Sequence, residues 1–226
     1  MLATTIAENI YAISVNDRTT DLFEGLWPIA KEGVTYNSYL INDEKKVLID
    51  LTKEFKTDTL VDQIATIFKP EDLDCIVINH MEPDHTGALK TILRMAPKAE
   101  IYCTPKAAPL LEEFYGIIER VHEIADGETL NIGSRTLTFL HTPFVHWPET
   151  MMTYSAEDQL LFSCDAFGGY GTLQGYNFDD ECNDLEYYKK ESLRYYSNIV
   201  AKFSQPVLNA IKKIEGVPVK VIAPSH

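Results

Sequence analysis

An apolar run joins directly to a polar loop in the segment Cys75-Ile76-Val77-Ile78-Asn79-His80-Met81-Glu82-Pro83-Asp84-His85-Thr86-Gly87, and this junction is the clearest indication of the fold class. Residues 75–78 are continuously apolar, which is typical of a short strand at the centre of a sheet. In open α/β sheets the ligand site lies at the carboxyl ends of such strands, since the loops there vary while the strands hold them rigid. The segment therefore predicts an α/β protein with a functional site at this strand end.

The polar loop carries the pattern His80-x-Glu82-x-Asp84-His85, which places four metal-ligating side chains within six residues. Alternate residues of an extended segment point to the same side, so these groups could converge on one cation. Pro83 biases the preceding residue away from the helical region, and we therefore expect an extended loop here and not the start of a helix. A solvated polar loop without function is the simpler alternative.

Three further candidate ligands lie at the ends of other predicted strands, which disfavours that alternative. They are His146 after 139–142, Asp165 after 160–163 and His226 after 219–222. An isolated histidine such as His146 is as often a structural hydrogen-bonding residue as a ligand. Four strand-end loops together predict one shared polar cluster.

The rest of the chain predicts two β-rich stretches with helices outside them. Two packed sheets covered by helices are the economical architecture, and 226 residues with 45% hydrophobic content suffice for one compact domain over 1–226. Strands are predicted at 9–15, 37–41, 46–50, 75–78, 100–103, 118–124, 128–132, 135–140, 151–155, 159–163 and 219–222, and helices at 56–68, up to Met95, at 105–115, 184–203 and 205–215.

The formal net charge of -14 argues against two classes of partner. Phosphate backbones and anionic lipid headgroups are normally bound by Lys and Arg, so we expect neither nucleic acid nor a membrane surface as partner. No apolar run approaches the roughly 20 residues that span a bilayer, and the N-terminus lacks the pattern of a signal peptide. A cytoplasmic location is the resulting expectation.

The four cysteines, Cys75, Cys103, Cys164 and Cys182, include no pair at C-x-x-C spacing. This spacing disfavours a zinc knuckle or a redox dithiol and favours free thiols. A disulfide between Cys75 and Cys103 remains the alternative if their strands are neighbours. The histidines His122 and His141 are assigned no ligand role, and the tyrosines Tyr187, Tyr188, Tyr195 and Tyr196 are predicted to pack within a helical region.

Taken together, the motifs resemble those of the flavodiiron proteins, and the resemblance extends over essentially the whole chain. Four signatures in the order of that family make it specific. They are His80-x-Glu82-x-Asp84-His85, His146-Trp147-Pro148, Ser163-Cys164-Asp165-Ala166-Phe167-Gly168 and Pro224-Ser225-His226, and the early segment Gly33-Val34-Thr35-Tyr36-Asn37-Ser38-Tyr39-Leu40 is also similar.

The resemblance implies a metallo-β-lactamase-like αββα sandwich, with two mixed β-sheets flanked by helices, and two iron ions joined by an oxo or hydroxo bridge. By the same resemblance, His80, Glu82 and His146 hold one iron, Asp84, His85 and His226 hold the other, and Asp165 bridges them. His85 is the least certain ligand, because some family members do not use that position. Zinc hydrolases of this fold have histidine where this chain has Glu82, and a carboxylate there favours iron or manganese over zinc.

Flavodiiron proteins generally carry a flavodoxin-like domain after the diiron domain, and its FMN is presented by the opposing subunit of a head-to-tail dimer. This chain ends at His226. From the resemblance we expect a homodimer, no flavodoxin domain and no FMN in this chain, and a separate electron donor or signalling protein as partner.

Two classes of function follow from these expectations. In the first, a ferrous pair binds dioxygen or nitric oxide, either to sense oxygen or to reduce the gas with electrons from a separate donor. Reduction of dioxygen to water takes four electrons, of which two ferrous ions supply two, so the donor separates reductase from sensor. The alternative is a dinuclear zinc hydrolase, in which the metals activate a bridging hydroxide.

Overall fold

The computed structural model describes residues 3–175 and 177–226. In chain order the strands are β1 (Thr4–Ala7), β2 (Ile10–Asp17), β3 (Leu22–Phe23), β4 (Trp27–Pro28), β5 (Val34–Asn42), β6 (Lys46–Ile49), β7 (Cys75–Val77), β8 (Glu100–Cys103), β9 (Val121–Glu123), β10 (Thr129–Asn131), β11 (Thr136–His141), β12 (Met151–Ser155), β13 (Leu160–Cys164) and β14 (Val221–Pro224). The helices are α1 (Thr57–Ala65), α2 (Pro83–Thr86), α3 (Leu89–Met95), α4 (Ala108–Tyr115), α5 (Leu185–Tyr195) and α6 (Ser204–Ile214). Short 3-10 turns lie at Glu54–Lys56, Pro70–Asp72, Asp179–Glu181 and Ala201–Phe203, and a π-helical turn at Tyr196–Val200 extends α5.

The strands form two mixed sheets and a small separate hairpin, β3-β4. The first sheet has seven strands in the order β1-β2-β5-β6-β7-β8-β9, antiparallel up to β6 and parallel from β6 to β9. The second has five strands in the order β10-β11-β12-β13-β14, and only the β13-β14 pair is parallel. Parallel pairs in both sheets bring several carboxyl strand ends to one side of the molecule.

Side chains alternate along the strands between a core shared by the two sheets and a core beneath the helices. In β5, Tyr39 and Ile41 enter the shared core with Phe139 and Phe162 of the second sheet. The intervening Leu40 faces the opposite way, into a cluster that contains residues of α1, α3 and α4. This period of two is what a strand buried on both faces requires.

The second sheet has the same two-faced character. Met152 and Leu161 leave the shared core and pack with Tyr195, Val200 and Ala210 of the α5 to α6 region. Helices therefore cover the outer face of each sheet. The predicted αββα sandwich with two mixed sheets is confirmed.

Most predicted elements are present, with shifted ends. The strand predicted at 118–124 is reduced to Val121–Glu123, and the short strand β1 and the hairpin β3-β4 were not predicted. None of the four cysteines forms a disulfide, and the β7-β8 register places Cys75 opposite Glu100 and not opposite Cys103. In the part of the chain that the structure describes, no helix is both long and apolar enough to span a membrane.

The prediction of an extended loop through Asp84 and His85 was wrong. Glu82 is extended, with φ -60° and ψ 146°, but α2 begins at Pro83 and contains both residues. Proline is well suited to the first helical position, because its φ is already helical and its missing N–H would have no partner there. Asp84 and His85, which lie in this helix, belong to a different group of potential ligands from His80 and Glu82.

Candidate metal centre

Seven predicted ligands from four separate loops meet on one side of the sandwich. His80 and Glu82 follow β7, Asp165 follows β13 directly, and His226 follows β14. Asp84 and His85 lie in α2, and His146 lies in the loop between β11 and β12. None of the seven is more than 7% exposed. The structure therefore brings together every residue that the sequence singled out for the site.

One group of side chains consists of His80, Glu82 and His146. The Glu82 carboxylate lies 3.0 Å from His146 Nε2 and 3.3 Å from His80 Nε2. The Nδ1 atom of His80 is turned the other way and donates to Glu149 at 2.7 Å. When Nδ1 carries the proton of a neutral imidazole, the free lone pair is on Nε2. A neutral imidazole is the form that ligates a metal.

A second group consists of Asp84, His85 and His226. The His226 Nε2 atom lies 3.4 Å from Asp84 Oδ2, and the His85 Nε2 atom lies 3.7 Å from Asp84 Oδ1. His226 Nδ1 donates to the backbone carbonyl of Thr35 at 3.0 Å, so its Nε2 atom also carries the free lone pair.

Asp165 stands between the two groups and turns one oxygen to each. Its Oδ2 atom lies 3.3 Å from His146 Nε2 and 3.5 Å from His80 Nε2. Its Oδ1 atom lies 3.0 Å from His85 Nε2 and 3.3 Å from His226 Nε2. This is the arrangement that a carboxylate bridging two cations needs.

Several buried polar atoms of the centre have no hydrogen-bond partner within the chain. Six buried atoms have no hydrogen-bond partner: both carboxylate oxygens of Asp84, both of Asp165, and Nε2 of His85 and of His226. An unpartnered buried polar group costs about 1–3 kcal/mol, and more when it is charged. Potential ligand atoms within each group lie within 4.8 Å of one another. The donor set therefore fits a pair of metal ions.

The electrostatics of the chain point the same way. Burial lowers the pKa of His146, but Asp165 and Glu82 raise it to about 10. For His226, burial likewise lowers the pKa, while Asp165 and Asp84 raise it to about 9. In the absence of a metal the imidazoles thus take up protons to balance the carboxylates, and a metal ion must displace those protons to bind.

Backbone contacts hold the metal-binding loop against the segment after β6. Leu51 N donates to His85 O at 2.8 Å and Ala88 N donates to Thr52 O at 3.0 Å. Gly87 lies so close that a Cβ there would come within 2.5 Å of Glu54 N. Only glycine permits this approach, which explains its place two residues after His85.

Non-glycine residues with left-handed backbone conformation surround the centre. They include Asp50 with φ 51°, Phe144 with φ 65°, Cys164 with φ 57° and Phe167 with φ 69°. Each costs free energy that the surrounding structure must supply, and such residues concentrate at functional sites.

Sequence reasoning missed three residues that support the cluster. Glu149 is fully buried and accepts from both His80 Nδ1 and Met81 N. Asp50 accepts from the backbone and side chain of Asn79 and lies 3.9 Å from His85 Nδ1. Asp50 carries the same signal as the ligands, an acidic residue at a strand end, whereas Glu149 is marked only by its position three residues after His146.

Tyr195 is the third missed residue. It is 1% exposed, and its ring packs edge-on or tilted against Phe23, Tyr170 and His226 at centroid distances of 5.1–5.9 Å. Its hydroxyl has no hydrogen-bond partner. Burial and then the Asp165 carboxylate raise its pKa, so the hydroxyl stays protonated next to the centre. Packing was predicted for this residue, and packing alone does not explain a buried hydroxyl without a partner.

The two histidines without a predicted ligand role have contacts elsewhere. His122 is half exposed, pairs with Glu100 at 2.5 Å and stacks on Tyr102. The Nε2 atom of His141 lies 3.0 Å from the Ile124 carbonyl.

Comparison with known proteins agrees with this geometry. The sequence profile described as ODP family beta lactamase matches residues 34–226. A nitric oxide reductase from Moorella thermoacetica is 35% identical over 224 residues, which is 98% of this chain and 56% of that protein. The rubredoxin oxygen:oxidoreductase from Desulfovibrio gigas superposes with a TM-score of 0.94 at 30% identity, covering 99% of this chain and 56% of that one.

The flavodiiron protein from Giardia intestinalis superposes with a TM-score of 0.93 at 31% identity, covering 100% of this chain and 54% of that one. This chain thus spans about half the length of the relatives that it matches. Because the family profile covers most of the chain and includes all seven residues of the cluster, the chain belongs to the ODP family of beta lactamases, whose fold the flavodiiron proteins contain.

Proposed function

We propose that the cluster binds two iron ions and that the resulting centre binds dioxygen or nitric oxide, reducing the gas when a separate donor supplies electrons. The observation that carries this proposal is the position of Asp165, whose two oxygens face two different groups of ligands at 3.0–3.5 Å. A bridging carboxylate has no purpose in a site for one ion. The names of the relatives, a nitric oxide reductase and an oxygen:oxidoreductase, support the choice of gases.

Each of the two groups of side chains described above would bind one iron ion. His80, Glu82 and His146 would hold one ion, Asp84, His85 and His226 the other, and Asp165 would bridge them. Two ferrous ions held by these residues would supply electrons and open coordination positions to a diatomic gas. The carboxylates of Glu82, Asp84 and Asp165 contribute three negative charges, and together with a hydroxide as the fourth they would balance the charge of two divalent cations.

Iron is favoured over zinc by the donor atoms themselves. The Glu82 carboxylate oxygen lies within 3.3 Å of the Nε2 atoms of both His80 and His146. A group made of histidines alone would offer only nitrogen ligands. Carboxylate-rich sites are harder and select iron or manganese.

Aromatic side chains pack around the histidines of the centre. Phe23 and Tyr36 pack edge-on against the His226 ring at 5.4 and 5.9 Å, and Trp147 packs against His80 at 5.1 Å. These aromatic rings hold the imidazoles in place and exclude water from them.

Among the buried tyrosines in the part of the chain that the structure describes, Tyr195 has a hydroxyl without a hydrogen-bond partner. Its hydroxyl is buried, protonated and without a partner, so it can donate a hydrogen bond to a gas molecule bound at the centre. In this role the residue orients the ligand and stabilises negative charge that develops on it.

The test is anaerobic loading with ferrous iron, followed by exposure to each gas with absorption and Mössbauer spectra recorded. We expect two iron ions per chain, a coupled pair in the Mössbauer spectrum, and a new absorption band with at least one gas. A single iron per chain would contradict the proposal. Two zinc ions per chain in protein purified without added metal, together with ester hydrolysis, would favour the hydrolase instead.

Gas consumption then separates binding from reduction. With a chemical or protein reductant present, sustained uptake of oxygen or nitric oxide identifies a reductase. A stable coloured adduct without sustained uptake identifies a binding or sensing protein. Both outcomes are compatible with the diiron centre and differ only in what supplies electrons to it.

A further inference from the structure

A cavity of about 380 Å³ lies between the loop after β13 and the helical region from α5 to α6. Apart from Asp165, Gly168 and Ser192, every residue that lines it is apolar or aromatic. Val145, Met152, Val200 and Ala210 are among these lining residues. The cavity thus has an apolar wall and one charged wall residue, the proposed bridging carboxylate.

The exposure of the lining residues shows that one end of the cavity is buried and the other is at the surface. Asp165 and Tyr195, which belong to the centre, are each 1% exposed. Leu193 and Phe167 are 65% and 48% exposed, and Ile211 is 46% exposed. The cavity therefore extends from an apolar mouth at the surface to the interior wall of the centre.

The local structure explains why the space is open. Small residues, Ala166 and Ala210, occupy wall positions where larger side chains would fill the volume. The π-helical turn Tyr196–Val200 follows α5 directly and shifts the helical register at the cavity wall. Single π-helical turns are frequent at functional sites.

An apolar cavity of this kind suits an apolar occupant. A buried water needs two to four polar partners, and apolar cavities large enough for several waters stay dry and take up xenon or benzene. Dioxygen and nitric oxide are small, weakly polar molecules that partition into such a space.

We propose that this cavity is the route by which the gas reaches the centre, and that it binds the gas transiently on the way. This inference rests on the proposed function, because it takes dioxygen or nitric oxide as the ligand. A route has a kinetic signature that a ligand-binding group lacks. Narrowing the route slows entry and exit by the same factor, so both rate constants fall while the equilibrium constant at the centre stays the same.

The test uses two substitutions that narrow the cavity at different depths. Ala210→Phe fills the interior, and Leu193→Trp covers the mouth at a position so exposed that the fold is not disturbed. Leu208→Trp is the matched control, since Leu208 is 51% exposed on α6 and does not line the cavity. Stopped-flow and flash photolysis on the iron-loaded protein give the association and dissociation rate constants of nitric oxide.

We expect Ala210→Phe to slow both rate constants about tenfold, which corresponds to a barrier about 1.4 kcal/mol higher. Leu193→Trp should slow them less, and Leu208→Trp should leave them unchanged. Unchanged rates in Ala210→Phe and Leu193→Trp would overturn the route. A changed equilibrium constant with an unchanged association rate would overturn it as well, because the substitution would then act at the centre.

A second measurement does not depend on iron. Xenon-129 NMR of the metal-free protein should show saturable xenon binding in the wild type and its loss in Ala210→Phe. Absence of xenon binding in the wild type would overturn the proposal. Failure of the proposed function has a different signature, because xenon would still bind while neither gas bound the iron-loaded wild type, and the route would then fall together with that function.

Discussion

Two largely buried polar clusters lie at opposite ends of strands β6, β11 and β13. They differ in whether the chain itself supplies hydrogen-bond partners to their polar atoms. At the end opposite the metal centre, Arg135 donates from Nε to Asp158 at 2.8 Å, from Nη1 to Asp43 at 3.1 Å and from Nη2 to the Glu8 carbonyl at 2.6 Å. Every nitrogen of this guanidinium has a partner within the chain. At the metal centre, both oxygens of Asp84 and of Asp165 lie 3.0–3.7 Å from imidazole nitrogens but have no hydrogen-bond partner.

This difference distinguishes a structural cluster from a binding site. The chain completes the Arg135 cluster on folding, so its charges contribute to the stability of the folded state. The metal centre stays incomplete until a cation arrives, so its charges serve binding and cost stability without it. Substitutions at the two ends should therefore separate stability from metal binding, and four predictions test that separation.

The largest expected effect is the loss of both metals in Asp165→Asn. The residue faces both groups of ligands, so we expect iron content to fall from about two ions per chain to nearly none. Metal analysis after anaerobic loading and desalting measures it. Asp158→Asn makes the same chemical change at the opposite end and should keep both ions. If Asp165→Asn kept two ions, the bridging position of this residue would be refuted.

The second prediction concerns Arg135→Met, which leaves the partly buried Asp43 and Asp158 without their cation. We expect the free energy of unfolding to fall by about 2 kcal/mol, less than the roughly 3–5 kcal/mol for a fully buried ion pair, because the two carboxylates are only partly buried. Urea denaturation of the metal-free protein measures the loss. Iron content after loading should be unchanged. A loss below about 0.5 kcal/mol, or loss of iron, would mean that the two ends are not independent.

The third prediction compares the two histidines His80 and His226, which lie in different groups of the centre. Glu149→Gln removes the carboxylate that orients His80, whereas His226 is oriented by a backbone carbonyl that no substitution removes. Loss of such an outer partner costs roughly 10- to 100-fold in metal affinity. Titration against a competing chelator should show one of the two binding steps weakened and the other unchanged.

Glu112→Gln, on the exposed surface of α4, is the control for that titration and should alter neither step. Equal weakening of both steps in Glu149→Gln would show that the residue acts on the whole centre and not on His80.

The smallest expected effect is the pH dependence of the Arg135 end. Burial raises the pKa of Asp43, but hydrogen bonds from Ser134, Glu44 and Arg135 lower it to about 2. A pKa lowered on folding stabilises the protein above the unfolded value of 3.8, and this contribution is lost as pH falls towards 2. The stability difference between wild type and Asp43→Asn should therefore shrink between about pH 4 and pH 2.

Urea denaturation of the metal-free proteins at several pH values measures this difference. A stability difference that stayed constant over the interval would show that Asp43 keeps an ordinary pKa in the folded chain.

Much of the site was predictable because its residues lie at strand ends. The motif from His80 to His85 follows an apolar run that reads as a strand, and Asp165 and His226 follow similar runs. The division of the seven residues into two groups came from resemblance, and the structure places them in those groups. The helix at Pro83 was not predicted, because the proline effect on the preceding residue was extended wrongly to the residues after it.

Asp50 follows a strand as the ligands do, but Glu149, Arg135 and Tyr195 could not be predicted from sequence patterns. Glu149 contacts a histidine 69 positions away, and Arg135 contacts Asp43 92 positions away. Nothing in the local sequence distinguishes them from other charged residues. The same holds for Tyr195, whose helical spacing indicates packing and does not reveal that its hydroxyl lacks a partner.

By itself, the amino-acid sequence determined the layered α/β class, the metal-ligating residue types and the loops that carry them, since strand periodicity and ligand chemistry are local properties. The folded structure was needed to show which oxygen of Asp165 faces which group, which carboxylate orients His80, and where an apolar cavity meets the centre. These features depend on the packing of side chains from distant segments, and packing geometry is set by the whole fold and by no single segment.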